Sequence, residues 1–205
     1  MRGLIKEHPF GVKAHFDQSL VLTYAVPADQ VRKLVPAQLE LDLYQGKTAF
    51  LAVALVETRA MRPRLFPSFL GRKSTLLGYR VFVRYRGEDG RRRRGLYILG
   101  SETDSHFMVR TGNLVTRYCY SHVDIDWLKL ANGQQKISTN MGLKIKVGGL
   151  SENAQLPRES PFPDWRQARR FAGPMHLHLA MMPKRKPWLP WKALETTGLQ
   201  RLLKS

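Results

Sequence analysis

The densest group of titratable side chains in the sequence lies within nine consecutive residues. It consists of Glu102, Asp104, His106 and Arg110. Carboxyl groups that are buried or close to one another have their pKa values displaced toward neutrality, and with a nearby imidazole they can act as general acid and base. These residues are therefore a candidate acid–base site for a lysine-independent lyase or hydrolase, with Glu102 or Asp104 as the base.

The same segment has a structural interpretation. Thr103, Asp104 or Ser105 could cap a helix that begins just after them, because short polar side chains accept hydrogen bonds from helix N-terminal amides. Glu102 would then pair with Arg80 or Arg84 on the preceding strand. The sequence leaves the acid–base and the capping interpretations open.

Tyrosines on successive predicted strands form a second candidate group. Directed inward, they would line a cavity with aromatic walls and polar tips suited to a ring or a carbonyl; otherwise they pack as ordinary structure. An arginine on such a wall favours a carboxylate or another anion. The candidate ligand-binding residues are Tyr79, Tyr97, Glu102, Asp104, Arg110, Tyr118 and Tyr120.

Other catalytic patterns are weak in this chain. His176 and His178 are spaced for one face of a strand and His122 could join them, but no acidic ligand supports a metal site. Ser101 and Ser105 do not stand in a Gly-x-Ser-x-Gly motif. We therefore expect no metal and no cofactor, and we assign no catalytic residue.

The charge is strongly basic. The 205 residues include 34 Lys and Arg against 16 Asp and Glu, a formal net charge of +18, which favours an anionic partner. Basic runs lie at 91–94 and 184–186, both in turn-rich sequence. Motifs of nucleic-acid readers are missing, so a basic nucleic-acid-binding module is a possible but less favoured alternative to a small-molecule binder.

Hydrophobic periodicity predicts a mainly β, α+β domain. Strands are expected at 19–26, 39–44, 48–57, 76–86, 95–101, 118–127, 135–141, 143–147 and 175–182, and short helices at 28–35, 105–115, 165–171 and 193–203. The segment 59–73 reads as a long loop, and a turn at Gln45-Gly46 predicts that strands 39–44 and 48–57 form a hairpin. We expect one domain over 1–183 and a basic, Trp- and Pro-containing tail over 184–205.

Eight or nine strands favour an antiparallel barrel, closed or curled, because closure removes exposed edges and leaves an interior for one small ligand. The longest apolar run, at 49–56, is too short to span a bilayer, and Cys119 is the single cysteine. A soluble, cytoplasmic protein is expected. Oligomerisation is possible.

Several segments between Phe16 and Pro174 carry a family resemblance. They are SLVLTY (19–24), VRKLVP (31–36), LELD (39–42), FLAVALV (50–56), GYRVFVRY (78–85), GLYILGSETDS (95–105), GNLVTRY (112–118) and RFAGP (170–174). The chain resembles the bacterial YqjF-like family, a domain of unknown function (2071) grouped with acetoacetate decarboxylase. The resemblance implies a decarboxylase-like β-barrel with an internal cavity.

The same resemblance argues against the decarboxylase reaction. That enzyme uses a lysine amine with a depressed pKa, and in the family the lysine follows the segment that here is 95–104. This chain has no lysine between Lys73 and Lys129 and carries arginines there, whose guanidinium groups stay protonated. The expected function is binding of a small organic carboxylate or carbonyl ligand without a Schiff base.

Overall fold

Strands make up most of the fold. A computed structural model describes residues 12–67, 69, 71–87, 89–115, 118–148 and 155–173. In chain order the elements are β1 (Val12–Pro27), α1 (Ala28–Arg32), β2 (Glu40–Leu41), β3 (Thr48–Pro63), β4 (Arg72–Arg86), β5 (Arg92–Thr103), α2 (His106–Val115), β6 (Tyr120–His122), β7 (Ile125–Lys129), β8 (Gln135–Thr139), β9 (Lys144–Val147) and α3 (Trp165–Ala172). The mainly β prediction with a few short helices is confirmed.

The strands form two sheets. The larger has the order β1-β3-β4-β5-β6, with β2 paired to the far end of β4, and the smaller has the order β7-β8-β9. All pairs are antiparallel except β5 with β6, which is parallel. Within the described residues neither sheet closes on itself, so the closed form of the predicted barrel is not seen there.

The larger sheet packs on both faces. On one face Leu77, Tyr79, Val81 and Val83 share a core with the smaller sheet, which contributes Ile137 and Ile145. On the other face Phe82, Phe50 and Leu96 pack with Phe162 and with α3. The predicted alternation along β4 is confirmed. We call these the core face and the helix face.

A β-bulge in β5 decides which of its side chains reach the core face. Tyr79 pairs with Gly100 and the next residue, Arg80, pairs with Ile98, so Leu99 is the extra residue. Beyond the bulge the alternation changes phase. In a regular strand, side chains five positions apart point to opposite faces. Because of the bulge, Tyr97, opposite Val81, and Glu102, opposite Leu77, lie on the same face.

A buried carboxylate joins three parts of the chain. Asp42 is 0% exposed; its Oδ1 accepts a hydrogen bond from Arg84 Nε at 2.5 Å, and its Oδ2 accepts one from Arg94 Nε. Arg94 also donates to the carbonyl of Phe171 at 2.8 Å and lies 4.5 Å from the centre of its ring. The segment before β3, the β4–β5 hairpin and α3 are thereby fixed together.

The predicted hairpin of residues 39–44 with 48–57 is wrong. β2 pairs with β4, at Arg84 and Val83, because β3 is already flanked by β1 and β4. Only the predicted turn is present. Tyr44 and Thr48 form an isolated bridge around Gln45 and Gly46, both with positive φ (50° and 73°).

Two further boundaries differ. The predicted loop at 59–73 is short, because β3 continues to Pro63 and β4 begins at Arg72. The predicted strand at 118–127 is two strands in different sheets, since the Val123 amide bonds to the Thr103 carbonyl and Asp124 bonds to Asn140. The turn between β6 and β7 is thereby fixed.

The short helices are largely as expected. α1 ends at Arg32, earlier than Val35, and the Arg32 guanidinium donates to the carbonyls of Val35, Pro36 and Leu39. α3 begins after Asp164, whose side chain accepts from the Gln167 amide as predicted. The strand predicted at 175–182, the helix at 193–203 and the tail at 184–205 lie outside the described residues. None of the described helices has the length and apolar character needed to cross a membrane.

Replacing Asp42 with Asn should destabilise the fold. The change keeps the side-chain shape but leaves Arg84 and Arg94 facing each other without the charge that holds both, and loss of one partner of a buried ion pair costs about 3 kcal/mol. Urea denaturation measures the loss. Glu40→Gln is the matched control, because the pair that Glu40 forms with Arg92 is exposed. Equal urea midpoints of unfolding for D42N and E40Q would contradict this account.

Candidate functional site

The seven predicted site residues do not line one cavity wall. Tyr79, Tyr97 and Glu102 lie on the core face of the larger sheet. Tyr120, opposite Ser101, lies on the helix face, where Tyr118 contacts its ring. The β-bulge at Leu99 and the parallel pairing of β6 produce this division, and neither is visible in the sequence pattern.

On the core face Glu102 and Tyr79 form an acid–tyrosine pair. The Tyr79 hydroxyl donates to Glu102 Oε2 at 3.2 Å, and Glu102 is 6% exposed. Burial raises the pKa of the Glu102 carboxyl, and burial together with the nearby carboxylate raises the pKa of the Tyr79 phenol. The prediction that Glu102 pairs with Arg80 or Arg84 is wrong, because Arg84 bonds to Asp42 and Arg80 lies on the opposite face.

Of the other predicted residues, Tyr97 and Asp104 have structural contacts, whereas Arg110 forms neither a hydrogen bond nor an ion pair with Glu102 or Tyr79 in the described part of the chain. Tyr97 is in the core, and burial raises its pKa. Asp104 Oδ1 accepts from the Thr75 amide at 2.8 Å, which ties the end of β5 to β4. Ser105, one of the three predicted caps, accepts from the Met108 amide at 3.3 Å and caps α2. Arg110 is exposed on α2.

On the helix face Arg80, Tyr118 and Tyr120 form the arginine–tyrosine cluster. Arg80 is partly buried, and its Nε atom is fully buried without a hydrogen-bond partner among the described residues. Across that same part of the chain no carboxylate forms an ion pair with it. Burial lowers the pKa of Arg80, and burial is the main cause that raises the pKa of Tyr120 to about 12.

Helix α2 positions Tyr120 with its backbone. A Cβ at Gly112 would lie 2.9 Å from the Tyr120 ring, so glycine allows the helix to rest directly on it. Asn113 brackets the Tyr120 main chain, accepting from its amide at 2.6 Å and donating to its carbonyl at 2.8 Å. The phenol ring is therefore held from above and from its own strand.

The cluster has the chemistry of an anion site. A guanidinium keeps its proton, so Arg80 cannot act as a nucleophile or a base, but its planar donors match a carboxylate. Phenol hydroxyls can donate a further hydrogen bond, and the two rings, 5.7 Å apart, supply apolar wall. The sequence indicates Arg80 only as an ion-pair partner, although its position among apolar neighbours on β4 is a signal of a buried charge.

Two histidines form a pair that the sequence did not indicate. The rings of His106 and His122 are parallel, with centroids 3.7 Å apart, where α2 begins and β6 ends. The described part of the chain contains no group of three or more His, Cys, Asp or Glu side chains that could hold a metal ion. His176 and His178 lie outside that part.

The basic run at 91–94 is largely neutralised. Arg92 pairs with Glu40, Arg93 with Asp89 at 2.8 Å, and Arg94 with the buried Asp42. Three of its four cations are therefore committed to carboxylates within the protein.

A cleft of about 480 Å³ opens beside α3. It is lined by Tyr44, Arg94, Asp164, Arg166, Gln167, Arg170 and Phe171. Asp164, the one acidic side chain among the described residues that line it, caps α3. The sequence did not indicate this cleft, because Tyr44 lies more than a hundred residues from α3.

Comparison with known proteins identifies the family. The model of DUF2071, described as an uncharacterized conserved protein, matches residues 13–172. The chain belongs to the DUF2071 family. The family resemblance in the sequence is therefore confirmed. A search of curated proteins gives no match.

Solved structures similar to this DUF2071 chain include acetoacetate decarboxylase from Legionella pneumophila subsp. pneumophila str. Philadelphia 1, with TM-score 0.47 and 15% identity, covering 72% of this chain and 51% of that one. The enduracididine biosynthesis enzyme MppR, with HEPES buffer bound, matches with TM-score 0.45 and 16% identity, covering 72% of this chain and 62% of that one. An acetoacetate decarboxylase-like enzyme from Sphingomonas wittichii RW1 matches with TM-score 0.41 and 13% identity, covering 68% of this chain and 59% of that one. The chain thus spans between half and about three-fifths of their length.

Glu102→Gln should remove a pH-dependent destabilisation. Because the folded-state pKa of Glu102 is raised, the stability it contributes is full below the usual glutamate value of 4.5 and is lost as the pH rises through the folded pKa. The variant keeps an acceptor for Tyr79 but cannot ionise. Urea denaturation across a pH series should show that the free energy of unfolding of E102Q rises relative to that of the wild type above pH 4.5. A difference in unfolding free energy that does not depend on pH would contradict the raised pKa.

Proposed function

We propose that this protein binds a small organic carboxylate at the arginine–tyrosine cluster. The observation that carries the proposal is Arg80, whose buried Nε donor has no partner among the described residues. A buried donor without an acceptor is costly, and a carboxylate would supply both the acceptor and the missing negative charge.

The proposed ligand is small and carries one carboxylate. The cluster offers one guanidinium, so it matches a single anionic group rather than a polyphosphate. The rings of Tyr118 and Tyr120 would contact an apolar group of the ligand, and the Tyr120 hydroxyl would donate to a carbonyl. A 2-oxo or 3-oxo acid, or an aromatic acid, fits this combination.

Covalent catalysis through an amine is not part of the proposal. Residues 74–128 contain no lysine, so β5, α2, β6 and all of β4 beyond Lys73 lack the nucleophile that a Schiff base requires, and Lys73 itself is paired with Glu57. The decarboxylase-like barrel and its internal cavity stay predictions that belong with this proposal. In a sheet curled as predicted, the ligand would lie on the helix face, beneath the elements that pack on that face.

A second candidate is acid–base catalysis by Glu102. Its burial, raised pKa and hydrogen bond to Tyr79 are features of a tuned general acid or base. Structural burial produces the same features, and Glu102 is 6% exposed whereas Arg80 is partly accessible. Asp104 is held by the Thr75 amide. Binding at Arg80 is therefore the better supported function.

The nucleic-acid alternative is weaker than the charge suggests. Three of the four arginines at 91–94 are paired with carboxylates, so this run offers phosphates less free charge than its sequence implies. A nucleic-acid site would also need aromatic platforms or a recognition helix beside the basic run.

Arg80→Gln tests the ligand site. Calorimetric titration of the wild type with pyruvate, acetoacetate and benzoate identifies the carboxylate that binds best. Loss of a charge-assisted hydrogen bond should then weaken that ligand about ten- to a hundredfold in R80Q. Arg110→Gln is the matched control, because it removes an exposed arginine from the predicted site without touching the cluster.

The outcomes separate the alternatives. Equal weakening in R80Q and R110Q would show a diffuse charge effect and contradict the cluster as the site. Binding that survives R80Q but is lost in E102Q would move the site to the core face. Failure of all three acids to bind the wild type, together with native mass spectrometry showing a bare chain, would overturn the proposal.

A further inference from the structure

The loop between β3 and β4 displays apolar side chains to solvent. Leu65 is 90% exposed, Phe66 52% and Phe69 81%. We call the described loop residues 64–67, 69 and 71 the hairpin tip. A cluster of large exposed apolar side chains on one loop marks an interaction surface, since single ones are scattered on ordinary surfaces.

The backbone below the hairpin tip is tightly held. Arg62 donates to the Ala60 carbonyl at 2.9 Å and to the Phe66 carbonyl at 3.1 Å. Ala60 has a positive φ of 52°, and a Cβ at Gly71 would lie 2.5 Å from its Cα, so the two arms meet backbone to backbone. The apolar side chains are thus presented outward by a fixed base.

Cations surround the hairpin tip. Arg59, Arg64, Arg72 and Lys73 flank it. The nearby carboxylates are Glu57, paired with Lys73, Asp17, paired with Arg59, and Asp104, which accepts from the Thr75 amide. Arg72 lies 5.1 Å from the centre of the Phe107 ring, which extends the apolar surface onto the first turn of α2. Positive charge therefore exceeds negative charge around the apolar loop.

We propose that the hairpin tip docks on an anionic lipid bilayer. Leu65 and Phe69 would enter the boundary between headgroups and acyl chains, while the flanking arginines contact anionic headgroups. Aromatic and aliphatic side chains gain free energy at that depth, and each nearby cation adds electrostatic attraction.

Charge decides against other occupants. A second copy of the chain carries the same net +18, and residues 1–11 and 174–205 of this chain together carry eight Lys and Arg against two Glu, so all are repelled by the cationic surround. Nucleic acid would satisfy the arginines, but phosphate and sugar offer no apolar layer for Leu65. An anionic bilayer offers both the charge and the apolar layer.

Sedimentation with vesicles tests the proposal on the full chain. We expect binding to vesicles of phosphatidylcholine mixed with phosphatidylserine and much weaker binding to phosphatidylcholine alone. Leu65→Ser combined with Phe69→Ser should lower the partition coefficient at least about tenfold. Leu128→Ser is the matched control, because Leu128 is an exposed leucine on β7, and it should leave binding unchanged.

Insertion is measured separately from attraction. In a Cys119→Ser chain, Phe69→Cys gives a single attachment point for an environment-sensitive fluorophore, which should shift to the blue on phosphatidylserine vesicles. Equal vesicle binding by the double variant and the wild type would overturn the proposal, because the basic tail or general surface charge would then suffice. Lack of wild-type binding would also overturn it, as would a wild-type dimer in sedimentation velocity that becomes monomeric in the double variant.

Discussion

The buried carboxylate of Asp42 is the constraint on which much of this structure depends. A fully buried anion is tolerable only with cations and hydrogen bonds around it, and Arg84 and Arg94 provide both from neighbouring strands. This requirement fixes the segment before β3 against the β4–β5 hairpin. Since Arg94 also bonds to Phe171, the same interaction sets the position of α3 on the helix face.

Arg84 and Arg80 lie on the same face of β4 but in different electrostatic surroundings. Both side chains project from β4 to the helix face, on either side of Phe82. Arg84 meets a buried carboxylate, and its charge is used to hold the fold. Arg80 lies near the phenols of Tyr118 and Tyr120 instead, and no carboxylate among the described residues pairs with it. Arg84 thus serves the stability of the fold, and Arg80 is the position at which we propose that a ligand binds.

Local chemistry predicted the elements of this fold better than it predicted their pairing. The alternation from Tyr79 to Tyr85, the cap at Asp164 and the turn at Gln45 follow from neighbouring residues, and the structure confirms them. Pairing depends on distant strands. β2 pairs with β4 because β1 already occupies the other edge of β3, and no residue in 39–44 indicates this pairing.

The candidate site shows the same limit. Sequence alternation identified Tyr79, Glu102 and Tyr120 as polar residues within apolar strands, but it could not place them on faces. One extra residue, Leu99, reverses the alternation in β5 and sends Glu102 to the core face. Arg80 then remains with Tyr120 on the other side. Because a bulge changes every position beyond it, the division of the seven residues became visible only with the register.

Helix α2 connects the hairpin tip with the arginine–tyrosine cluster. Its first turn carries Phe107, which contacts Arg72 at the base of the hairpin tip, and its last turns rest on Tyr120 through Gly112 and Asn113. Gly112 leaves no space between helix and ring, so a movement of α2 that begins at Phe107 must displace the Tyr120 ring or break the Asn113 bonds. The docking proposed at the hairpin tip and the ligand binding proposed at Arg80 would therefore act on the same helix, and a ligand that held Tyr120 in place would also hold the apolar surface that Phe107 adds to the tip.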